Sequence, residues 1–149
     1  KETELPHFIH FDNEQKQIEA LLRLVKDNLG RNIGILLPNN PEVIRISQEF
    51  KDNDVECEFK YNKGENDFDY VDNLDFNTML PKILTYHSAK GLQFDMVILP
   101  LYNGASDDES RKALYVAMTR TMHSLYVLYS TQTLLPPLDR VPTHLYLKE

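Results

Sequence analysis

The side chains best suited to chemistry lie in one stretch, Thr85–Asp95, which reads TYHSAKGLQFD. An apolar strand runs into the stretch, and a second apolar run follows it, so we predict a polar turn between two buried strands. Open α/β sheets place their ligand groups at such turns, just outside the strand ends. We therefore predict that this turn is the working edge of the domain, together with a later helix that ends at Arg120.

Three groups in this turn can be judged from chemistry alone. His87 and Ser88 are adjacent, so on an extended chain they would point to opposite faces, and the sequence lacks a G-x-S-x-G elbow. A hydrolase triad is therefore disfavoured, whereas a hydrogen-bonded turn histidine and a solvated Lys90 are ordinary alternatives. Gly91 occurs without a G-x-x-x-x-G-K-[ST] phosphate loop. The turn can thus hold one edge of a ligand but not a complete nucleotide site.

Arg120 has two interpretations. A cation at the end of a helix stabilises the last carbonyl groups by about 0.3–1 kcal/mol. Alternatively, the planar guanidinium is held out for a phosphate, a role for which arginine is better suited than lysine. Spacing within the sequence does not choose between these two roles.

Composition limits the class of protein. The chain has 149 residues with 42% hydrophobic and 26% charged residues, which are values for one globular domain. A net charge of -7 argues against a surface coated by nucleic acid, so any such contact must be local. The single cysteine, Cys57, excludes an internal disulfide and makes a zinc site improbable, which fits a reducing cytoplasm. We expect no metal site, no membrane span and, because no initiator Met is present, a fragment of a longer protein.

The order of predicted elements indicates an α/β fold with a mostly parallel sheet. Strands and helices alternate from Pro6 onward, and Ile33–Leu37 is a continuous apolar run of the kind buried on both faces of a parallel sheet. Asp12 and Asn40 are the predicted helix N-caps. Leu114, Tyr115 and Met118 are predicted to face the core from the helix that ends at Arg120, and Asp107 or Asp108 to cap it.

Two segments depart from this pattern. Tyr61–Thr78 is rich in acidic residues with aromatic residues between them, and we interpret it as a solvated connector because the fixed glycine and final glutamate of an EF-hand loop are absent. Residues 134–149 contain three prolines and are predicted to form a tail that wraps over a domain spanning residues 1–133.

Two motifs carry a resemblance to a known family. Thr85–Asp95 resembles motif V of superfamily 1 DNA helicases of the UvrD, Rep and PcrA kind, commonly T-x-H-x-[SA]-K-G-L-E-[FW]-D. Tyr115–Thr121 resembles motif VI of the same enzymes, Y-V-A-x-T-R-A. Both occur in the family's order, joined by a strand, a loop with acidic residues and a helix.

The resemblance implies a three-layer, RecA-like C-terminal domain without a phosphate loop. ATP and Mg²⁺ would be held mainly by an N-terminal half, and Arg120 would reach the γ-phosphate as an arginine finger. Gly91 and Gln93 would lie beside the nucleotide. The implied nucleic-acid contacts, to single-stranded DNA, come from Thr85, His87, Ser88 and Lys90.

Departures from the family pattern limit what it implies. Gln93 stands where the family has Glu, and Thr121 replaces the usual Ala. The short distance from Phe59 to Ile83 leaves no room for the large accessory subdomain of UvrD-like enzymes. We expect a cytoplasmic helicase or translocase part, acting in processes such as DNA repair and inactive alone. The alternatives are an ATP-driven module that remodels a protein complex such as RNA polymerase, and a degenerate scaffold.

Overall fold

The computed structural model describes residues 4–62, 70–103, 108–130 and 147–148. The strands within these ranges are β1 (His7–His10), β2 (Ile33–Leu37), β3 (Glu58–Asn62), β4 (Tyr70–Asp72), β5 (Lys82–Thr85), β6 (Phe94–Leu99), β7 (Thr121–Tyr129) and β8 (Leu147–Lys148). The helices within them are α1 (Glu14–Asp27), α2 (Asn40–Asp52) and α3 (Asp108–Arg120).

These strands form one sheet in the spatial order β4-β3-β5-β2-β6-β7-β1-β8. Every pairing is parallel except that of β3 with β4. β2 lies at the centre and is buried along its whole length, as the continuous apolar run predicts. The predicted α/β class with a mostly parallel sheet is therefore confirmed.

The helices cover opposite faces of the sheet. Core side chains of α1 and α2, including Leu21 and Phe50, pack in one hydrophobic cluster with Ile35 of β2. Leu114 and Ala117 of α3 belong to a second cluster, which includes Leu36 of the same strand. Because neighbouring residues of a strand point to opposite faces, α3 lies on the face away from α1 and α2.

Both predicted helix caps are displaced by one residue. Asn13, rather than Asp12, caps α1, since its side chain accepts a hydrogen bond from the backbone N–H of Lys16 at 2.9 Å. Asn39, rather than Asn40, caps α2 in the same way. Both Asn13 and Asn39 have extended backbone angles, which is the conformation an N-cap requires.

The prediction for α3 is correct for Leu114 and wrong for Tyr115. Leu114 is buried, whereas Tyr115 is 70% exposed, and the small side chain of Ala117 packs instead. The Met118 side chain and Asp107 lie outside the description that the structure gives. A small residue can therefore face the core while a neighbouring aromatic residue faces water.

The acidic connector contains a strand that the sequence did not predict. Tyr70–Asp72 forms β4, antiparallel to β3, while residues 63–69 lie outside the described residues. Of the predicted tail, only residues 147–148 are described, and they pair with β1 as an edge strand. The boundary between domain and tail stays a prediction.

A close approach between two strands requires glycine at position 34. A Cβ atom built on Gly34 would lie 2.6 Å from Cδ2 of Phe94, an aromatic residue that begins β6 and is fully buried. β2 and β6 are paired neighbours, so the Phe94 ring lies over the glycine. The absence of a side chain at Gly34 therefore determines where β6 can begin.

We expect Gly34→Ala to lower the free energy of unfolding by about 1–3 kcal/mol, because the added methyl group overpacks this contact. In an open strand position, the same change would be neutral or stabilising. Urea denaturation of the wild type, Gly34→Ala, Phe94→Leu and the double variant measures the effect. The cost should shrink in the Phe94→Leu background, and an equal cost in both backgrounds would contradict the assigned contact.

A cavity of about 630 Å³ lies between α2 and β3. Its floor includes Cys57 and the stacked rings of Phe59 and Tyr61, whose centroids are 5.6 Å apart. Burial, with a smaller contribution from the Glu58 carboxylate, raises the pKa of the Cys57 thiol to about 11. The thiolate is therefore scarce at neutral pH.

We expect alkylation of Cys57 by iodoacetamide at pH 8 to be about 100-fold slower in the folded chain than in urea, because the thiolate is the reactive form. The rate in the folded chain should keep rising between pH 8 and pH 10, since the thiol is still mostly protonated there. Mass spectrometry over time gives both rates. Equal rates with and without urea would contradict the buried position.

Candidate nucleotide and nucleic-acid edges

The Thr85–Asp95 stretch begins as the last residue of β5 and continues in a tight turn. The backbone N–H of Tyr86 donates to the carbonyl oxygen of Leu37 at 3.0 Å, which attaches the turn to the end of β2. The Ala89 N–H donates to the Thr85 carbonyl at 3.1 Å, and the Lys90 N–H donates to the His87 carbonyl at 3.3 Å. The turn is thus closed by its own backbone.

The structure separates the four predicted nucleic-acid residues into two kinds. Thr85 is buried, and its hydroxyl accepts the Ser88 N–H at 3.1 Å and lies 3.2 Å from the Ser88 hydroxyl. His87 and Lys90 are exposed. Thr85 and Ser88 therefore hold the turn in shape, while His87 and Lys90 are accessible to a ligand.

The turn and α3 pack on the same face of the sheet. Ala89 is fully buried in the cluster that contains Leu114 and Ala117, and Leu92 and Val116 pack against it. Burial beside Tyr102 raises the pKa of the Tyr86 hydroxyl well above its usual range, so this ring stays neutral. Displacement of the turn would therefore disturb the helix that ends at Arg120.

The stretch crosses from one edge of the sheet to the other. Thr85 pairs with Leu37 at the carboxyl end of β2, whereas Met96 pairs with Ile33 at its amino end. Four residues of strand correspond to about 13 Å. His87 thus follows a carboxyl strand end, while Gln93 precedes an amino strand end.

Gln93 and Arg120 precede the amino ends of adjacent strands. Phe94 and Thr121 are register partners in the parallel pair β6–β7, so the residues immediately before them lie at the amino ends of adjacent strands. Adjacent strands are about 4.8 Å apart. The ends of the two predicted motifs are therefore brought together by strand pairing.

The backbone at Gln93 is fixed by Asn32, a residue that lies outside both motifs. The Asn32 side-chain amide donates to the Gln93 carbonyl at 3.2 Å, and the Asn32 N–H donates to the Asp95 carboxylate at 3.2 Å. In return, the backbone N–H groups of Asp95 and Met96 donate to the Asn32 carbonyl. The polar pair Arg31-Asn32 directly before a buried strand is the signal that could have indicated this contact.

Arg120 is partly buried and has no hydrogen-bond acceptor among the described residues. Its Nε atom is shielded from solvent and unpartnered there. Two carbonyl oxygens near the end of α3 accept hydrogen bonds from other side chains. The Thr119 hydroxyl donates to the Val116 carbonyl at 3.0 Å, and the Thr121 hydroxyl donates to the Ala117 carbonyl at 2.6 Å.

A second arginine at this edge is already engaged. Arg31 donates to the Asn28 side chain at 3.2 Å and to the Ser124 hydroxyl at 3.3 Å, and Ser124 in turn donates to the Glu4 carboxylate at 3.1 Å. Of the two arginines, Arg120 is therefore the one with donors available for a ligand.

Gly91 lies between the two edges with a backbone φ of +83°, a conformation that favours glycine. No atom lies within 4 Å of a Cβ built on it, so the backbone there is open to approach. Among the described residues, no group of three or more His, Cys, Asp and Glu side chains is arranged to hold a metal ion. The helices in this part of the chain are too short or too polar to span a bilayer.

One segment of the chain is similar to a known protein family. Residues 82–128 match the family model of the UvrD-like helicase C-terminal domain, a segment that contains both motifs. No curated protein sequence matches the chain.

Three solved structures share the fold. The C-terminal domain of a possible DNA helicase from Lactobacillus plantarum WCFS1 has a TM-score of 0.75 at 22% identity, over 99% of this chain and 86% of that one. The E. coli DEAD-box protein SrmB, solved bound to the regulator RraA, has a TM-score of 0.59 at 12% identity, over 99% and 90%. An arterivirus nonstructural protein 10 helicase, solved with DNA, has a TM-score of 0.58 at 12% identity, over 97% of this chain but 35% of that one.

These neighbours are described as a possible DNA helicase, a DEAD-box protein and a helicase, and at 12–22% identity they establish the fold alone. The sheet order and the helix layers of this chain are those of a helicase RecA-like domain. The family match adds the sequence of the segment that carries His87, Gln93 and Arg120. The predicted resemblance is confirmed: residues 82–128 match the model of the UvrD-like helicase C-terminal domain, and the chain has a RecA-like fold.

Proposed function

We propose that this chain is the C-terminal motor half of an ATP-dependent DNA helicase or translocase. In this proposal, Arg120 acts as an arginine finger on a nucleotide held by the N-terminal half of the same polypeptide. The observation that supports it is the partly buried Arg120, which lies beside Gln93 at the amino edge with no acceptor among the described residues. Among the described residues, the Nε–H of this guanidinium is a shielded donor without an acceptor, which is consistent with a site for an anionic ligand.

The chemistry follows from the residues of this half. Transfer of a phosphoryl group develops negative charge on the phosphate oxygens, and a planar guanidinium stabilises that charge. ATP and Mg²⁺ would be bound mainly by the phosphate loop and carboxylates of the N-terminal half. Gly91 offers an open backbone to the nucleotide, and the Gln93 amide can accept a hydrogen bond from a ribose hydroxyl although it lacks the charge of a glutamate.

Single-stranded DNA is the proposed ligand of the opposite, carboxyl edge. His87 and Lys90 are exposed there and can reach bases and phosphates, while Thr85 and Ser88 fix the turn that presents them. Ala89 connects this turn to α3 through a fully buried contact. A shift of Arg120 on nucleotide hydrolysis would therefore be transmitted to the grip on DNA.

In the full-length protein, we expect Arg120→Ala to lower kcat for ATP hydrolysis by about 10³-fold or more, because a finger is typically worth ~10³–10⁵ in rate. ATP binding should be largely retained, since other groups hold the ground state. Arg120→Lys should also be impaired because it lacks the planar fork. Arg23→Ala, which removes an exposed arginine of α1, is the matched control and should be unaffected. Turnover near that of the wild type in Arg120→Ala would remove the assignment.

We expect the isolated chain, residues 1–149, to show negligible ATPase activity, because the sequence holds no phosphate loop. A phosphate-release assay with and without single-stranded DNA measures this, and robust turnover would refute the division of the site between two halves. In the full-length protein, stimulation of hydrolysis by single-stranded DNA supports a helicase or translocase. Hydrolysis that does not respond to DNA indicates the remodelling alternative.

A further inference from the structure

Large apolar side chains are exposed at the amino edge of the sheet. Four of them lie in segments that lead into the amino ends of strands, and they are Leu5 (44% exposed), Leu29 (63%), Phe76 (64%) and Met79 (49%). Phe76 and Met79 are in the loop before β5, and Leu29 precedes β2, the neighbour of β5. Arg120 and Gln93 lie at this same edge.

The loop that carries Phe76 and Met79, residues 73–81, is fixed by a buried ion pair. Nζ of Lys82 is 3.3 Å from a Glu58 oxygen, and both side chains are nearly inaccessible to water. Glu58 also accepts the Thr78 hydroxyl at 2.8 Å and the Asp75 N–H at 3.0 Å. Lys82 donates to the carbonyl oxygens of Thr78 and Leu80 at 3.3 and 3.2 Å.

This arrangement is costly for a loop that has only to connect two strands. Removing two charges from water costs several kcal/mol per ion, and their attraction recovers this only when further hydrogen bonds are well made. In this chain, the further hydrogen bonds of Glu58 and Lys82 go to residues of loop 73–81. Phe76 and Met79 are therefore presented to solvent on a rigid support, and a rigid surface loses less entropy when a partner binds.

We propose that loop 73–81, with Leu29 beside it, is the surface on which the nucleotide-bearing half of the protein docks. This inference depends on the proposed function. β5 and β7 are separated by β2 and β6, so the loop lies about 14 Å from Arg120 along the edge. A single domain interface of ordinary size would cover both the loop and Arg120. Exposed carboxylates of Asp72 and Asp75 flank the apolar residues, so the docking face should be an apolar pocket with a basic rim.

The test uses the full-length protein with the substitutions Phe76→Ser and Met79→Ser together. We expect kcat/KM for ATP to fall by about tenfold or more, because two apolar anchors of the docked state are lost. The melting temperature should change little, since both residues are exposed. Ile44→Ser removes an exposed apolar residue from α2, away from this edge, and should leave kcat/KM unchanged.

Cross-linking adds a direct readout. Phe76→Cys labelled with a benzophenone maleimide should cross-link to the nucleotide-bearing half when a non-hydrolysable ATP analogue is present; peptide mapping, with the unsubstituted protein labelled in parallel, identifies the products. Cross-links confined to residues of this chain, with a normal kcat/KM in the double variant, would overturn the docking surface. If Arg120→Ala still abolishes hydrolysis in that case, the proposed function stands without it, whereas normal hydrolysis in Arg120→Ala would refute the function itself.

Discussion

The parallel pairing of β6 with β7 is the constraint on which the rest of the structure depends. Its register places Phe94 opposite Thr121, and this alone brings the residue before each strand to the same edge. Among the described contacts, none joins Gln93 to Arg120. Both directly precede paired strands, and the Asn32 side chain also donates a hydrogen bond to the Gln93 carbonyl.

The two edges of the sheet present different side chains. The carboxyl edge presents His87 and Lys90 on a turn closed by backbone hydrogen bonds, and the amino edge presents Arg120 among exposed apolar residues. One segment, Thr85–Asp95, runs from the first edge to the second across the face that α3 covers. In the proposed function, one continuous segment of chain therefore contacts both the nucleotide and the DNA.

Much of this architecture could be predicted from the sequence where hydrophobic patterning is unambiguous. The continuous apolar run of β2 leaves one interpretation, that of a strand buried on both faces of the sheet. The observed N-caps of α1 and α2 are each one residue away from the predicted ones. Neighbouring polar side chains can all cap a helix, and only the backbone angles decide which of them does. Tyr115 was misplaced because helical spacing also allowed Ala117 to face the core, and sidedness on a helix depends on packing with other elements.

The residues of the candidate site stay predictions, and their arrangement could not be predicted from the sequence. The two motifs named Gln93 and Arg120, yet strand register is a long-range property that no local pattern contains. Asn32 lies far from both motifs in sequence, so the polar pair Arg31-Asn32 could indicate a contact there but not that its partner is the Gln93 carbonyl. The exposure of Phe76 could not be predicted either, because we interpreted the aromatic residues of this acidic segment as buried anchors of the connector.

A structure of the full-length protein with a non-hydrolysable ATP analogue tests the central claim most directly, through the distance from the Arg120 guanidinium to the γ-phosphate. The account predicts that the amino edge of this sheet faces the nucleotide and that this distance is within hydrogen-bond range. A nucleotide bound instead at the carboxyl edge, beside His87, or with Arg120 turned away from the phosphates, would contradict it.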